Sequence, residues 1–318
     1  MIDQILDLLT TYPVITIFRH ENADGDAFGA QCGLASWLKE SFPTKEIYCL
    51  GKNGTDNIQL FNPMDIVSDE VVKKSLAVIL DTANQQRIDD QRYRMAAMTI
   101  KIDHHPEVEV FGNLRYVDTK RASSCEMVGE LISRFQPLST ISAVTASYLY
   151  MGILTDTLRF STANTSSDTL RIASQLAGTG INIAALNSAM FSQDQNYFKL
   201  ASVIRQRAVF QADNRIVYVY LTQEQLASAH VSYEKAKDLI NEFNALAQLE
   251  VWILFIEDET NRNGLFNVSI RSRNISVNDV AAQFKGGGHR LAAGAKLLTE
   301  NDTHKLIDII TYRLNQNK

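Results

Sequence analysis

The chain has 318 residues, of which 45% are hydrophobic and 21% are charged, and its formal net charge is −5 with a pI near 5.7. This length favours two domains, and the composition is typical of a folded globular protein rather than a disordered one. The acidic balance argues against charge-driven binding of long nucleic acid, which needs a basic face, so any nucleic-acid ligand is expected to be short.

Three cysteines, Cys32, Cys49 and Cys125, stand singly without the spacing of a metal motif. They predict buried, reduced side chains rather than a disulfide framework or a thiolate zinc site. The first residues, MIDQILDLLTTYPV, carry acids where a secretory signal carries basic residues. No apolar run approaches the roughly 18 residues of a membrane span. A cytoplasmic protein without a membrane partner is therefore expected.

The amino-terminal half alternates strand-like and helix-like segments. VITIFRH at 14–20 is a short apolar run, and DAFGAQCGLASWLKE at 26–40 is predicted to be a helix. Further strands are predicted at 46–50, 76–80 and 98–102, and further helices at 123–135 and 140–154. This alternation predicts an α/β fold whose parallel-type sheet is flanked by helices and binds ligands at the carboxyl ends of its strands.

The carboxyl-terminal half repeats this pattern after a long helical stretch. Residues 182–211 are predicted to be helical throughout, without a strand. Strand patterns resume at 215–221, 251–256 and 265–272, interleaved with helix patterns at 232–246, 276–284 and 301–315. The sequence thus predicts a catalytic domain at 1–181, a helical linker at 182–212 and a smaller α/β domain at 213–318.

Acidic and histidine residues collect where these predicted elements end. They are His20, Asp24 and Asp26 in HENADGDAFGA, Asp81 after LAVIL, Asp103, His104 and His105 after MTIKI, and Asp156 in GILTDT. Gly25 is predicted to let the backbone turn so that its two neighbouring carboxylates converge. A DGD or DHH segment alone is more often a solvated turn or a helix cap. Three of the six histidines at such positions make a shared metal site the more economical interpretation.

Carboxylate and imidazole ligands together favour Mn²⁺ or a similar first-row ion, whereas oxygen ligands alone favour Mg²⁺ or Ca²⁺ and thiolates favour zinc. Two such ions roughly 3.5–4 Å apart can activate a water and neutralise the attacking and leaving oxygens of a phosphoryl centre. Phosphate-ester hydrolysis is therefore the predicted reaction.

Five segments carry a resemblance to a known family. HENADGDAFGA, LDTANQQRID, IDHHPE and GILTDT resemble the amino-terminal motifs of the DHH phosphoesterase superfamily, and KGGGHRLAAGAKL resembles the GGGH signature of its DHHA1 domain. The resemblance covers nearly the whole chain. The length of 318 residues resembles that of the bacterial nanoRNase/pAp-phosphatase branch of the superfamily. Ala23 stands where proline is common and Ala30 where serine or threonine is common, but neither departure removes a ligand.

The resemblance implies two metal ions, expected to be Mn²⁺ with Mg²⁺ or Co²⁺ as alternatives. The implied ligand sets share Asp81 and are His20, Asp24 and Asp81 for one ion, and Asp26, Asp81, His104 and Asp156 for the other. His105 would face the scissile phosphate, and Asp103 would orient a neighbouring histidine. Asn22 is a weaker candidate for a phosphate contact.

The carboxyl-terminal half supplies candidate substrate contacts. Gly286, Gly287 and Gly288 can take positive φ and turn several N–H groups toward one anion beside His289, although a glycine triplet alone is more often a flexible loop. Arg271 and Arg273 alternate in VSIRSR, so they are predicted to point to one face and to bind a second phosphate. Two solvated arginines on an exposed strand are the alternative.

The predicted activity is Mn²⁺-dependent hydrolysis of short nucleotides, namely RNA fragments of two to five nucleotides and pAp, which would give AMP and phosphate. A phosphodiesterase for dinucleotides such as pApA or c-di-AMP is the alternative. A pyrophosphatase or polyphosphatase is less favoured because the GGGH segment is present, and a non-catalytic nucleotide-binding module is less favoured because the ligand set is intact. The sequence does not fix the oligomeric state, and a homodimer is suggested only by analogy with the family.

Overall fold

The computed structural model describes residues 1–53, 61–258 and 264–316. The chain forms two compact units, Met1–Ser192 and Gln193–Lys318. The boundary between them falls inside the stretch predicted to be a linker. Among the described residues, none of the helices has both the length and the apolar character needed to cross a bilayer.

The first unit alternates strands and helices, as the sequence pattern predicts. Its strands are β1 (Val14–Phe18), β2 (Glu46–Cys49), β3 (Leu76–Leu80), β4 (Met98–Asp103) and β5 (Leu114–Val117). Its helices are α1 (Ile2–Thr11), α2 (Gly25–Ser41), α3 (Asp69–Lys73), α4 (Ser124–Phe135), α5 (Ala143–Asp156), α6 (Ser167–Ala177) and α7 (Ile183–Phe191). Short 3-10 turns occur at Gln85–Arg87, Gln91–Met95 and Leu138–Thr140.

These strands form a parallel sheet in the order β2-β1-β3-β4-β5 among the residues described. Every residue of β1 and β3 is buried, which is typical of central strands covered on both faces. A large core containing Phe28, Trp37 and Leu149 covers one face, and a smaller cluster around Phe18, Ile79 and Tyr93 covers the other. Because the strands are parallel, the carboxyl ends of β1, β3 and β4 meet at one edge.

Glycines allow α2 to lie close to α5 and α4. A methyl group at Gly152 would overlap Sγ of Cys125 and lie 3.0 Å from Cα of Asp26. Gly25 was predicted to serve a tight turn, and that explanation is wrong because it is the first residue of α2 and has no positive φ. Its smallness matters instead because an added methyl group would lie 2.8 Å from Oγ1 of Thr155.

The second unit contains a mixed sheet and its own helices. The strands are β6 (Val209–Gln211), β7 (Ile216–Leu221), β8 (Val251–Glu257), β9 (Phe266–Ser272), β10 (Gly287–His289) and β11 (Ala292–Leu298). The helices are α8 (Gln195–Arg207), α9 (Gln223–Ala229), α10 (Tyr233–Ala236), α11 (Asn278–Gln283) and α12 (Glu300–Gln316), with a 3-10 helix at Lys237–Phe243. Within the described ranges the sheet order is β10-β11-β9-β8-β7-β6.

Two expectations for this half need correction. Residues 182–211 are not helical throughout, because Val209–Gln211 forms strand β6 and pairs antiparallel with β7. The GGGH segment is not a loop of three left-handed glycines, because Gly287–His289 forms strand β10 and pairs antiparallel with β11. Of the three glycines, Gly288 is the one with positive φ, at 134°.

The close approach at Gly152 gives a test of the fold. We expect Gly152→Ala to lower the free energy of unfolding of the first unit by about 1–3 kcal/mol, because the added methyl group overpacks a filled core. Urea unfolding followed by Trp37 fluorescence in a Trp252→Phe background measures this change. Gly178→Ala is the control, since its methyl group would meet only carbonyl oxygens at 3.2 Å or more. It should stay within about 0.5 kcal/mol of the parent. Equal stability of both variants would contradict the packing argument.

Candidate active site

The edge where β1, β3 and β4 end brings two histidine side chains together around one carboxylate. Asp81 follows β3, and its Oδ2 lies 3.4 Å from Nε2 of His20 while its Oδ1 lies 3.4 Å from Nε2 of His104. Both histidines follow strands that neighbour β3. Asp81 has a φ of 54°, a left-handed backbone conformation that is rare outside glycine. The sheet topology thus places Asp81 between two imidazole rings.

Two further carboxylates reach this cluster from helices. Nε2 of His104 lies 3.2 Å from Oδ2 of Asp156, at the end of α5, and 4.0 Å from Oδ2 of Asp26, in the first turn of α2. Asp24 caps α2 by accepting hydrogen bonds from the backbone N–H groups of Asp26 and Ala27, and its Oδ1 lies 4.0 Å from Nε2 of His20. All six predicted metal ligands therefore lie in one cluster.

The ligand atoms of this cluster fall into sets of a size that suits a metal ion. Within each set the atoms lie within 4.8 Å of one another, and the sets are His20, Asp24 and Asp81; Asp26, His104 and Asp156; and Asp81, His104 and His105. Asp81 belongs to two of these sets.

The two histidines beside Asp81 are oriented by backbone carbonyls. Nδ1 of His20 lies 2.7 Å from the carbonyl oxygen of Glu21, and Nδ1 of His104 lies 3.3 Å from that of Arg121. A carbonyl oxygen only accepts, so each ring donates from Nδ1 and directs Nε2 at the carboxylates. NH2 of Arg87 lies 3.4 Å from Nδ1 of His20.

The amino terminus of α4 holds two of the carboxylates, a contribution that the sequence analysis missed. The backbone N–H groups of Ser124 and Cys125 donate to Asp26 at 2.6 and 2.9 Å, and the hydroxyl of Ser124 donates to Asp81 at 3.1 Å. Unpaired N–H groups at a helix start favour nearby anions. The sequence signal was the Ser123 cap of this helix, but only the tertiary fold shows what α4 faces.

The buried acids carry more negative charge than their surroundings compensate. Burial and then the charge of Asp81 raise the pKa of Asp26 to about 7, and burial and then Asp26 raise the pKa of Asp156 well above its ordinary value. Burial disfavours ionisation of Asp81, but the neighbouring imidazoles of His104 and His20 outweigh it and hold its pKa well below the usual range. Burial alone would lower the pKa of His104, yet the carboxylates of Asp156 and Asp81 raise it to about 12. The cluster therefore attracts positive charge.

These residues fit divalent cations. Nε2 of His104 is buried and makes no hydrogen bond among the described residues, although two carboxylate oxygens lie within 3.4 Å of it. A ring nitrogen without a hydrogen bond, directed at crowded carboxylates, is an environment that a metal ion satisfies. The set contains imidazole and carboxylate but no thiolate, which suits a first-row ion better than calcium or structural zinc.

His105 lies next to Asp81, and its ring is held by Asp103. Oδ1 of Asp103 accepts hydrogen bonds from the backbone N–H of His105 at 3.1 Å and from its Nδ1 at 2.8 Å. Nδ1 of His105 also lies 3.4 Å from Oδ1 of Asp81. The fold thus fixes the ring of His105 next to Asp81. Arg121 forms ion pairs with Asp118, Glu126, Glu130 and Asp168.

The predicted phosphate contact Asn22 lies in the loop after His20, where it is exposed and has a φ of 52°. The other predicted substrate residues lie in the second unit. There, His289, Ala292, Arg271 and Trp252 occupy matching positions on the neighbouring strands β10, β11, β9 and β8. Residues directly opposite each other point to the same face, so His289 and Arg271 share one face of this sheet.

The two arginines of the VSIRSR segment differ in their surroundings. Arg271 is largely buried, which lowers the pKa of its guanidinium, and its NH1 donates to the carbonyl oxygen of Ile270. Arg273 lies beyond the end of β9, where it donates to the carbonyl oxygens of Leu249, Asn244 and Leu246. The structure therefore does not bring the two guanidinium groups together as a fork, because Arg273 is bound to the backbone.

Comparison with known proteins places the whole chain in one family. The model of the DHH family, N-terminal domain, matches residues 14–153, and that of the DHHA1 domain matches residues 213–316. A Bacillus subtilis protein named bifunctional oligoribonuclease and PAP phosphatase NrnA is 30% identical over 305 residues, which is 96% of each chain. A Streptococcus mutans protein named probable bifunctional oligoribonuclease and PAP phosphatase NrnA is 35% identical over 300 residues, 94% of each chain.

A solved structure shows the same fold. The crystal structure of an exopolyphosphatase-related protein from Bacteroides fragilis matches with a TM-score of 0.88 at 23% identity, covering 98% of this chain and 95% of that one. The two family matches and the 30–35% identity to relatives over most of the chain confirm the resemblance seen in the motifs. The chain belongs to the DHH family of phosphoesterases and carries a carboxyl-terminal DHHA1 domain.

Proposed function

We propose that this enzyme is a two-metal phosphoesterase that hydrolyses short nucleotides, with fragments of two to five ribonucleotides and pAp as its substrates and Mn²⁺ as its metal. The observation that carries the proposal is the position of Asp81, whose two carboxylate oxygens each lie 3.4 Å from Nε2 of a different histidine. A carboxylate shared in this way suits a pair of adjacent cations. The names of the B. subtilis and S. mutans relatives support short nucleotides as the substrate class.

We assign the metal ligands to the six residues of the cluster: His20, Asp24 and Asp81 for one ion, and Asp26, Asp81, His104 and Asp156 for the other. When bound, two such ions supply Lewis acidity toward phosphoryl oxygens and lower the pKa of a coordinated water. The protein fixes the spacing of the ligand side chains. Asp81 links the two halves, and the N–H groups of Ser124 and Cys125 hold Asp26 in place.

His105 is proposed to contact the phosphoryl group, because its ring lies beside Asp81 without belonging to either assigned ligand set. Its Nδ1 donates to Asp103, so the ring cannot turn without breaking a 2.8 Å hydrogen bond. A ring held in this way keeps its orientation while charge develops on the phosphoryl oxygens, which is the condition for efficient electrostatic stabilisation. Asn22, on the exposed loop after His20, is proposed as an additional phosphate contact.

The second unit is proposed to bind the remainder of the nucleotide. Arg271 and His289 share one sheet face, and Gly287 and Gly288 leave the adjoining strand without bulky side chains. Gly286 lies so close to Gly294 and Ala295 that any side chain there would displace β11. A guanidinium and an imidazole on the same face suit a phosphate. We assign residues 1–181 to catalysis, 182–212 to the connection and 213–318 to substrate binding.

A panel of substrates tests the reaction. The purified protein loaded with Mn²⁺, Mg²⁺ or Co²⁺ is incubated with pAp, with RNA of two to five nucleotides, with pApA and with pyrophosphate, and the products are separated by chromatography. We expect turnover of pAp and of the short RNAs, fastest with Mn²⁺, and no release of phosphate from pyrophosphate. Turnover of pApA alone would instead assign the enzyme to dinucleotide breakdown. Turnover of none by the metal-loaded protein would refute the proposal.

Asp81→Asn tests the shared carboxylate. The amide cannot supply two anionic oxygens, so we expect both Mn²⁺ affinity and kcat/KM to fall by more than about 100-fold, beyond the usual loss for a residue that only orients a ligand. Calorimetric titration with Mn²⁺ and hydrolysis of a dinucleotide provide the two measurements. Asp7→Asn, an exposed change of the same chemistry in the same unit, should leave both values unchanged. Full activity in Asp81→Asn would rule out its assignment as the shared ligand.

Arg271 and Arg273 are predicted to respond differently to substitution. Arg271→Met should raise KM for pAp by about 10-fold or more, which corresponds to the loss of one charge-assisted hydrogen bond, and leave the unfolding midpoint unchanged. Arg273→Met should leave KM within about twofold but destabilise the second unit by about 1–3 kcal/mol, because three carbonyl oxygens each lose a hydrogen bond from the guanidinium. The reverse pattern would show that Arg273 contacts substrate instead.

A further inference from the structure

Lys101 is a charged residue in the interior of the first unit. It lies on β4 with an exposed fraction of 0%, and its Nζ lies 3.3 Å from Oδ2 of Asp103. Residues two apart on a strand point to the same face, which is why the two side chains meet. Nζ also lies 4.4 Å from the ring centroid of Phe111 and 3.4 Å from the carbonyl oxygen of Ala83. The ammonium group therefore lies in contact with Asp103 at the carboxyl end of β4, where the candidate active site is located.

The carboxylate of Asp103 is held from two sides. Oδ1 accepts both hydrogen bonds from His105, one from the backbone N–H and one from Nδ1. Oδ2 is buried and has no hydrogen-bond partner in the described part of the chain, so its compensation comes from the ion pair with Lys101. The carboxylate cannot rotate without losing either its ion pair or its hold on His105.

Packing alone gives no reason for a lysine at this position. Its face of the sheet is lined by the apolar cluster that contains Ala77, Ile79 and Phe111. Buried ion pairs are often no more stabilising than apolar residues of the same volume, so stability does not explain the charge. What the ammonium group adds is the fixed orientation of Asp103.

We propose that Lys101 is a positioning residue for phosphoester hydrolysis: it holds the Asp103 carboxylate so that Asp103 in turn holds the ring of His105 through Nδ1. The inference rests on the proposed function, in which His105 contacts the phosphoryl group. Residues that orient a functional imidazole through a hydrogen bond typically contribute roughly 10–100-fold to activity. We expect a loss of activity in the same range when Lys101 is replaced.

The first experiment uses the metal-free protein and no substrate. Long-range proton–nitrogen NMR spectra at alkaline pH show which ring nitrogen of each histidine carries the proton, and His105→Ala identifies the signals of His105. We expect the parent to carry the proton on Nδ1 and Lys101→Met to show a mixture of the two forms. An unchanged His105 pattern in Lys101→Met overturns the proposal. Because this readout needs no turnover, it decides the role of Lys101 even if the substrate panel refutes the proposed function.

The second experiment is a double-mutant cycle on turnover of a dinucleotide. Lys101→Met should lower kcat by about 10–100-fold with KM within about twofold. In a His105→Ala background the same substitution should change kcat by less than about twofold, because its effect passes through that ring. A comparable loss in both backgrounds would show that Lys101 acts on folding or on metal binding instead. Ile100→Val, a buried change on the neighbouring position of β4, is the control for altered stability and should retain the parent kcat.

A further variant covers the case in which Lys101→Met leaves Asp103 unpaired and does not fold. Lys101→Met combined with Asp103→Asn removes both charges at nearly constant volume, and it is compared with Asp103→Asn alone. The proposal requires equal kcat in these two proteins, since Lys101 has nothing to hold once the carboxylate is gone. A further loss of more than about tenfold in the double variant overturns it.

Discussion

The contact of Asp81 with two histidines is the interaction on which the first unit's site depends. One oxygen faces His20, which follows β1, and the other faces His104, which follows β4, so a single carboxylate joins both neighbours of the central strand β3. Its left-handed backbone costs on the order of 1–3 kcal/mol outside glycine. The hydrogen bonds of the parallel sheet offset that cost. The backbone N–H of Asp81 extends these hydrogen bonds beyond β3 by donating to the carbonyl oxygen of Ile102. Strand order, backbone strain and ligand geometry are thus parts of one arrangement.

Holding carboxylates and imidazole rings at this edge requires hydrogen-bonding groups that do not add bulk. The fold supplies them through the start of α4, whose N–H groups bind Asp26, and through carbonyl oxygens that orient the rings of His20 and His104. The close packing at Gly152 lets α5 approach α2, which brings Asp156 toward the same point. Core packing and site electrostatics therefore use the same helices and the same glycines, and neither can be altered alone.

Much of this architecture could be predicted from local sequence. The run LAVIL gives strand β3 with the predicted bounds, because a continuous apolar segment of that length suits a central parallel strand. The short strand Val209–Gln211 was missed, since three residues carry little periodicity and the strand exists through its pairing with β7. The part played by Ser124 was missed because backbone N–H groups leave no pattern in a sequence. Arg273 could not be separated from Arg271 by alternation, because the difference lies in which carbonyl oxygens surround each guanidinium.

The two halves of the proposed metal site differ in their access to solvent. The side chain of Asp24 is 58% exposed, whereas those of Asp26, His104 and Asp156 are 0%, 11% and 22% exposed. Ligand exchange needs an open route for water or a chelator, so the half that contains Asp24 would exchange its ion quickly and the half that contains Asp26 slowly. The enzyme would then load and lose its metals in a fixed order, and a preparation treated briefly with chelator would hold one ion per chain.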